Sequence, residues 1–378
     1  MAMKNHRKAQ HGILPPFWLF IGEKRRSFPI ETRVFIARCD EYDQAAHAVG
    51  RVLDAFGGAS AILGGRKRVL VKPNLLLPRK PDGAATTHPA VVEAVCTAFV
   101  KAGAAVSVID STGVPHSKMV LKMLFGKCGM TEAAERSGAA LSFNTSSRTV
   151  TVPDGRAVKK LELLVPVLDA DLVISVGKAK THSFMAMTGC MKNLFGCIPG
   201  LGKPNMHRKF PKREDFAAML VDVCGRVNPG FSILDGVWGM EGPGPSGGEP
   251  KRLGAIVGGF SPYAVDLAQC QLMGLRLDSV YTIREAASRG LAPDDPALLT
   301  WLGDDPESFR TNFKPAVRHK NDAIPAIMDN CTGCGDCARV CPQKCIVIKD
   351  RKAVVDEKAC IRCYCCHEFC PAKAVLLG

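Results

Sequence analysis

Residues 68–110 read RVLVKPNLLLPRKPDGAATTHPAVVEAVCTAFVKAGAAVSVID. The stretch opens on the short β-branched run Arg68–Val71. It ends on a second strand-like run, Ala105–Ile109. Between them, Pro89–Ala102 carries apolar residues at helical spacing, with Pro89 suited to a first turn and Gly103 to the end. Strand, helix and strand in that order make a βαβ unit, whose strands lie parallel in one sheet.

The same alternation continues in both directions. Upstream, Val34–Ala37 reads as a strand and Gln44–Phe56 as a helix. Downstream, Met119–Ser137 is helical in two pieces, Leu172–Val176 is a buried-type strand and Phe216–Val227 a helix. Phe231–Leu234 and Leu253–Val257 read as strands and Pro262–Met273 as a helix. The expectation is an α/β domain over residues 33–303, with a mostly parallel sheet and helices on both faces. Residues 304–325 are polar, carry Pro306, Pro315 and Pro325, and read as a linker. Residues 326–378 form a separate cysteine-rich module. Residues 1–32 precede the pattern as an N-terminal extension. Its apolar run Ile13–Ile21 is far short of the ~20 residues that span a bilayer. Glu23-Lys24-Arg25-Arg26 follows it where a signal peptide would show a small-residue cleavage site. No stretch reads as a transmembrane helix.

The chain has 378 residues, 47% of them hydrophobic and 23% charged, the balance of a globular protein and not a disordered one. A net charge of +14 attracts anions without choosing among them. Aromatic residues are only 6% and do not interleave with the basic ones, which argues against a base-stacking surface for nucleic acid.

Ten of the 17 cysteines fall in the last 48 residues. Cys331, Cys334, Cys337, Cys341 and Pro342 recur 29 positions later as Cys360, Cys363, Cys366, Cys370 and Pro371. Each half reads C-x2-C-x2-C-x3-C-P. In such a run three close thiolates wrap one corner of a cubane, and the cysteine before proline reaches the other cluster. Cys331, Cys334, Cys337 and Cys370 are therefore expected to hold one [4Fe–4S] cluster. Cys360, Cys363, Cys366 and Cys341 are expected to hold a second. Zinc takes two separated cysteine pairs, or cysteines with histidines, and fits these runs poorly. The module resembles the bacterial-type two-cluster ferredoxin, an α+β unit that transfers single electrons. Cys345–Asp350 and Ala353–Asp356 read as a small hairpin inside it. Cys345 and Cys365 lie outside the pattern and are expected to pack as small buried residues. Thiolate ligation calls for a reducing compartment, so the cytoplasm is the expected location.

In an open parallel sheet, ligands bind beyond the carboxyl ends of the strands. Those ends are polar here: Lys72-Pro73-Asn74, Asp110-Ser111-Thr112, Gly177 through His182, and Asp235-Gly236 with the Gly/Pro loop to Gly248. A cleft with Lys72, Lys178, Lys180, His182 and Lys192 would suit a carboxylate or phosphate. Each lysine alone could be a solvated side chain, and His182 alone a structural histidine; their conjunction singles them out. Thr86-Thr87-His88 opens a helix, another place that favours an anion. Gly242, Gly244 and Gly247 match G-x-G-x-x-G. However, Pro243 and Pro245 remove amides, and a strand follows where a helix should. Cys190 and Cys197 read as buried packing.

The segments Val71-Lys72-Pro73-Asn74, Thr86-Thr87-His88-Pro89, Lys178-Ala179-Lys180-Thr181-His182, Gly189 through Gly196, and Asp235-Gly236 with Met240-Glu241-Gly242 resemble the family catalogued as domain of unknown function 362. Members often carry a two-cluster ferredoxin module at the C-terminus. The resemblance implies an iron–sulfur protein of unestablished reaction. It points to Lys72, Asn74, Lys178, Lys180, His182, Lys192 and Asn193.

Two functions follow. In the first, the clusters feed reduction of an anionic organic substrate. His182 and Lys178 would be catalytic, and Lys72, Asn74, Lys180, Lys192 and Asn193 would bind substrate, with His182 donating a proton. In the second, the protein is a non-catalytic electron carrier whose α/β domain docks a redox partner. An electron donor or acceptor protein is implied by both. A weaker third reading has the clusters sensing nucleic-acid binding.

Overall fold

A computed structural model describes residues 30–316 and 323–377. The expectations for residues 1–29 lie outside the described residues.

Nine strands form one sheet. Its order is Thr300–Gly303, Arg33–Arg38, Glu249–Gly259, Phe231–Glu241, Leu172–His182, Arg68–Pro73, Ala105–Val108 and Ala140–Leu141, with Ala186–Thr188 folding back on Leu172–His182. Glu249–Gly259 runs antiparallel to both its neighbours, and the other pairings along this path are parallel. The antiparallel step has a local cause. Only residues 242–248 separate Phe231–Glu241 from Glu249–Gly259, too few for a parallel crossover.

Helices cover both faces because side chains alternate along each strand. Val69 and Val71 face the side where the helices Ala45–Asp54, Pro89–Lys101 and Lys118–Lys127 pack through Val52, Val95, Phe99 and Leu121. Leu70 and Val173 face the other side, against Phe216 and Leu220 of Arg213–Val227. Pro262–Leu272 packs on that face through Val265 and Leu267. Phe99 is fully buried, and truncating such a ring costs about 3–5 kcal/mol. The helix Pro89–Lys101 starts as its sequence suggests, with Pro89 at its first position and the His88 ring accepting from the Ala90 amide.

Three sequence expectations change. The strands expected to stop at Val176 and Leu234 run on to His182 and Glu241. Their charged ends were read as loop because they break the apolar run, yet each is satisfied inside the fold. Part of the stretch read as linker packs onto the large domain, with Phe309 and Phe313 buried beside Leu267 and Met273. A hairpin of Ser147–Thr151 with Lys160–Leu164 was not anticipated.

The cysteine-rich module is a compact α+β unit. Pro325–Ile327 pairs with Val375–Leu377, closing the module end to end, and Ile346–Lys349 pairs with Lys352–Val355. Its short helices Asp336–Val340 and Cys365–Glu368 each begin one residue before the third cysteine of a run, Cys337 and Cys366, and carry it.

Candidate functional site at the strand switch point

From Arg68–Pro73 the chain steps outward to Ala105–Val108 and Ala140–Leu141. It then returns to Leu172–His182 on the opposite side of Arg68–Pro73. The order reverses between these two strands, and their carboxyl ends frame the crevice where open α/β sheets bind ligands. Lys72 and Asn74 end one strand; Lys178, Lys180 and His182 end the other.

Apart from half-buried Asn74 these residues are buried, and they are largely paired with one another's neighbours. Lys72 lies 2.7 Å from Asp110 and donates to Asn193 Oδ1 at 3.1 Å. Gly196 permits that approach, since a Cβ there would sit 2.3 Å from Asp110 Oδ1 and 2.6 Å from Lys72 Nζ. Asn193 donates in turn to the Lys72 carbonyl and to Ser175. Lys178 Nζ donates to Asp235 Oδ2 at 2.9 Å and to Tyr42 Oη at 2.8 Å. Burial lowers the Lys178 pKa, with Asp235 opposing it. Lys180 donates to Asn74 Oδ1 and to the Ala85 carbonyl, both at 2.7 Å, and neither is charged. Burial, then the Lys192 and Lys178 charges, hold it well below an ordinary lysine.

His182 is fully buried. Its Nδ1 accepts from the amides of Phe184 and Met185, so the neutral ring carries its proton on Nε2. Burial, then the Lys192 charge, keeps it neutral. Nε2 faces Glu368 Oε1 at 3.3 Å. Lys192 keeps part of its surface open, and its ammonium has no hydrogen-bond or ion-pair partner among the described residues. Burial lowers its pKa, while Glu368 and Cys365 oppose this.

The short helix that carries Lys192 and Asn193, Cys190–Asn193, is anchored by Asp266. That carboxylate accepts from the Cys190 and Met191 amides at 2.5 and 3.1 Å. Burial raises the Asp266 carboxyl to about 7, against the pull of those two donors. Cys190 and Cys197 are fully buried, and burial pushes the Cys197 thiol up to about 12.

The start of Pro89–Lys101 is already occupied by protein acceptors. The His88 amide donates to Asp235 Oδ2 at 2.9 Å, and the His88 ring stacks on Tyr42 at 3.5 Å. The glycine-rich loop 242–248 joins two antiparallel strands and meets the module. Ser246 Oγ donates to the Glu368 carbonyl at 2.6 Å, and His367 Nε2 lies 3.1 Å from the Pro243 carbonyl.

The module docks across the crevice. Arg79 reaches the carbonyls of Ser246 and Cys370. The Phe369 ring lies flush on Gly113, where a Cβ would meet Cζ at 2.4 Å. Tyr364 packs with Phe184 at 6.5 Å.

The cysteines divide into two groups of four, each lining its own cavity. One cavity is lined by Cys331, Cys334, Cys337 and Cys370, the other by Cys341, Cys360, Cys363 and Cys366. Among the described residues no three ligating side chains converge on a point as a single ion requires. The thiols surround a volume, which fits an iron–sulfur group better than zinc. The cavities differ in position. Cys334 of the first is exposed, whereas Cys363 and Cys366 of the second are buried beside Tyr364 and Cys365. Cys365 is buried, and Cys345 Sγ lies 3.4 Å from Cys341 Sγ.

Sequence reasoning did not single out Tyr42, His207, Asp266 or Glu368. Glu368 falls inside the x3 spacer of a cysteine run, where nothing in the pattern marks it.

A thylakoid-associated protein of Synechocystis is 30% identical over 264 residues, covering 70% of this chain and 80% of that one. An uncharacterized polyferredoxin-like protein of Methanocaldococcus jannaschii is 34% identical over 62 residues, covering 13% of this chain and 37% of that one. Among solved structures, the lactate racemase apoprotein of Thermoanaerobacterium thermosaccharolyticum aligns with a TM-score of 0.42 at 13% identity, covering 69% of this chain and 60% of that one. No helix among the described residues is long and apolar enough to cross a membrane. The family described as Domain of unknown function (DUF362) matches residues 69–271, more than half of the chain, and the protein belongs to it.

Proposed function

We propose that this protein transfers single electrons through two [4Fe–4S] clusters and delivers them to an anionic organic substrate at the junction of the α/β domain and the module. The observation that carries this reading is the contact of the inner cysteine run with the switch-point crevice, where Glu368 Oε1 lies 3.3 Å from His182 Nε2 and Tyr364, which lines the inner cavity, packs with Phe184. Bound there, such clusters would supply one electron each at low potential.

The protein's own groups divide the remaining work. Lys192 and Lys180 hold the substrate's negative charge. His182 keeps a proton at Nε2, aimed into the junction, and is the candidate donor. Phe184 and Tyr364 exclude water. Lys72 and Lys178 already have buried carboxylate partners, so in this reading they shape the crevice together with Asn74 and Asn193. An external redox protein supplies or removes electrons, and a reducing cytoplasm suits the thiolates.

The second reading, a carrier that docks a redox partner, draws support from that same pairing. Lys72, expected to bind substrate, and Lys178, expected to be catalytic, each carry a buried carboxylate partner.

Iron analysis and EPR of the reduced, anaerobically reconstituted full chain test the cluster assignment. About eight irons per chain are expected, and about four after Cys363→Ala or Cys334→Ala. Loss of all iron from either variant, or two irons in the parent, contradicts it.

A further inference from the structure

The 29-residue repeat sets each position of one cysteine run against its equivalent in the other. Two cysteines break the match. Cys345 stands where the second half has Ala374, and Cys365 stands where the first half has Asp336. They come from opposite halves, yet both line the inner cavity beside Cys341, Cys360, Cys363 and Cys366. Six thiols face a volume that four complete, whereas the outer cavity is lined by four. Both extra cysteines are less than a tenth exposed.

In both halves the residue four places beyond the cysteine that precedes proline lies against that cysteine's sulfur. In the outer set the Ala374 amide donates to Cys370 Sγ at 3.2 Å. In the inner set Cys345 Sγ lies 3.4 Å from Cys341 Sγ, within hydrogen-bond reach for sulfur. A thiolate that holds iron has no proton to give, so within this pair only Cys345 can donate. Cys365 is placed alike, its thiol hydrogen-bonded to the Cys363 sulfur. Burial opposes reduction of the inner cluster, because Cys363 and Cys366 are buried and an added negative charge is disfavoured away from water. Hydrogen bonds to the ligating sulfurs act the other way, since they stabilise the more negative, reduced form.

We infer that Cys345 and Cys365 are S–H donors that raise the reduction potential of the inner cluster, Cys345 through Cys341 and Cys365 through Cys363. The inference rests on the cluster assignment proposed above and deepens it, by naming what lets the buried cluster on the switch-point side accept an electron. Both thiols keep their protons, and no bond forms or breaks. Neither holds iron, so both are positioning residues for the ligands beside them.

The test is an anaerobic potentiometric EPR titration of the full cluster-loaded chain, with iron content measured on each sample. Cys345→Ala and Cys365→Ala should each keep about eight irons and lower the midpoint of one and the same cluster, leaving the other unchanged. Each lost donor should shift the one-electron equilibrium constant about threefold to tenfold, tenfold being about 59 mV. Alanine fits the first position, as buried Ala374 does in the other half. Cys345→Ser keeps a donor and should restore most of the midpoint. An unshifted midpoint in either alanine variant overturns the role of that cysteine. A midpoint lowered equally by Cys345→Ala and Cys345→Ser reduces Cys345 to packing. Iron lost from Cys345→Ala but kept in Cys341→Ala makes Cys345 a ligand and overturns the inference as well. A parent chain without a [4Fe–4S] signal would end the cluster assignment itself, a result distinct from eight irons with unshifted midpoints.

Discussion

His182 Nε2 lies 3.3 Å from Glu368 Oε1, which joins the last residue of the strand Leu172–His182 to the helix that follows Cys363. The contact links the switch point of the large domain to the inner cysteine cavity through two side chains. An electron-carrying module tethered only by a polar linker would have no reason to bury a carboxylate there, because an unpaired buried charge costs several kcal/mol. The docking is part of the architecture.

Gly113 is the simplest place to break it. Any side chain at 113 must displace the Phe369 ring. Gly113→Leu is expected to leave iron content unchanged while hydrogen exchange at Ser183 and Phe184 rises by at least about tenfold. Exchange in Pro89–Lys101 should not change. Unaltered exchange at 183–184 would show that Phe369 does not hold the module in place.

Lys72 and Asp110 form a buried pair whose residues are 1% and 5% exposed at the side chain. Removing one partner strands the other. Lys72→Met is expected to destabilise the protein by about 3–5 kcal/mol, and Lys72→Met with Asp110→Asn by clearly less. Denaturant midpoints, taken under identical cluster loading, read this directly. An Lys72→Met variant as stable as the parent would return Lys72 to the list of substrate-binding groups.

Asp266 gives a pH signature. Its carboxyl is raised from 3.8 to about 7 by burial. A group raised on folding contributes stability that is fully present below its unfolded value and is lost as pH rises through the folded one. The parent's advantage over Asp266→Asn should therefore shrink from pH 4 to pH 7, by an amount on the order of a few kcal/mol. Thermal midpoints of both proteins across that window measure it. Parallel curves would mean the carboxylate is ionised throughout, held by the Cys190 and Met191 amides.

The βαβ core around Arg68–Asp110, the helices on both faces and the grouping of cysteines were all legible, because each rests on local periodicity or fixed spacing. Strand length was not. Lys178 and Lys180 look like the start of a loop until Asp235, Tyr42 and Asn74 are brought to them from elsewhere in the chain. The same tertiary pairing changed the site. The sequence places Lys72, Lys178, Lys180 and His182 at strand ends but cannot say which of them has a counter-ion. Glu368, His207 and Asp266 reach the crevice through long-range packing, which leaves no mark on their own segments.

The most direct test follows electrons out of the protein. The full chain, cluster-loaded and reduced under anaerobic conditions, is mixed with fractionated anionic metabolites, and recovery of its visible absorbance is recorded. One fraction should reoxidise the native protein, and a His182→Gln, Lys192→Met variant with unchanged iron content should do so at least about a hundredfold more slowly. Reoxidation by a redox protein and by no metabolite, at equal rates in parent and variant, would contradict the account and make the protein a carrier.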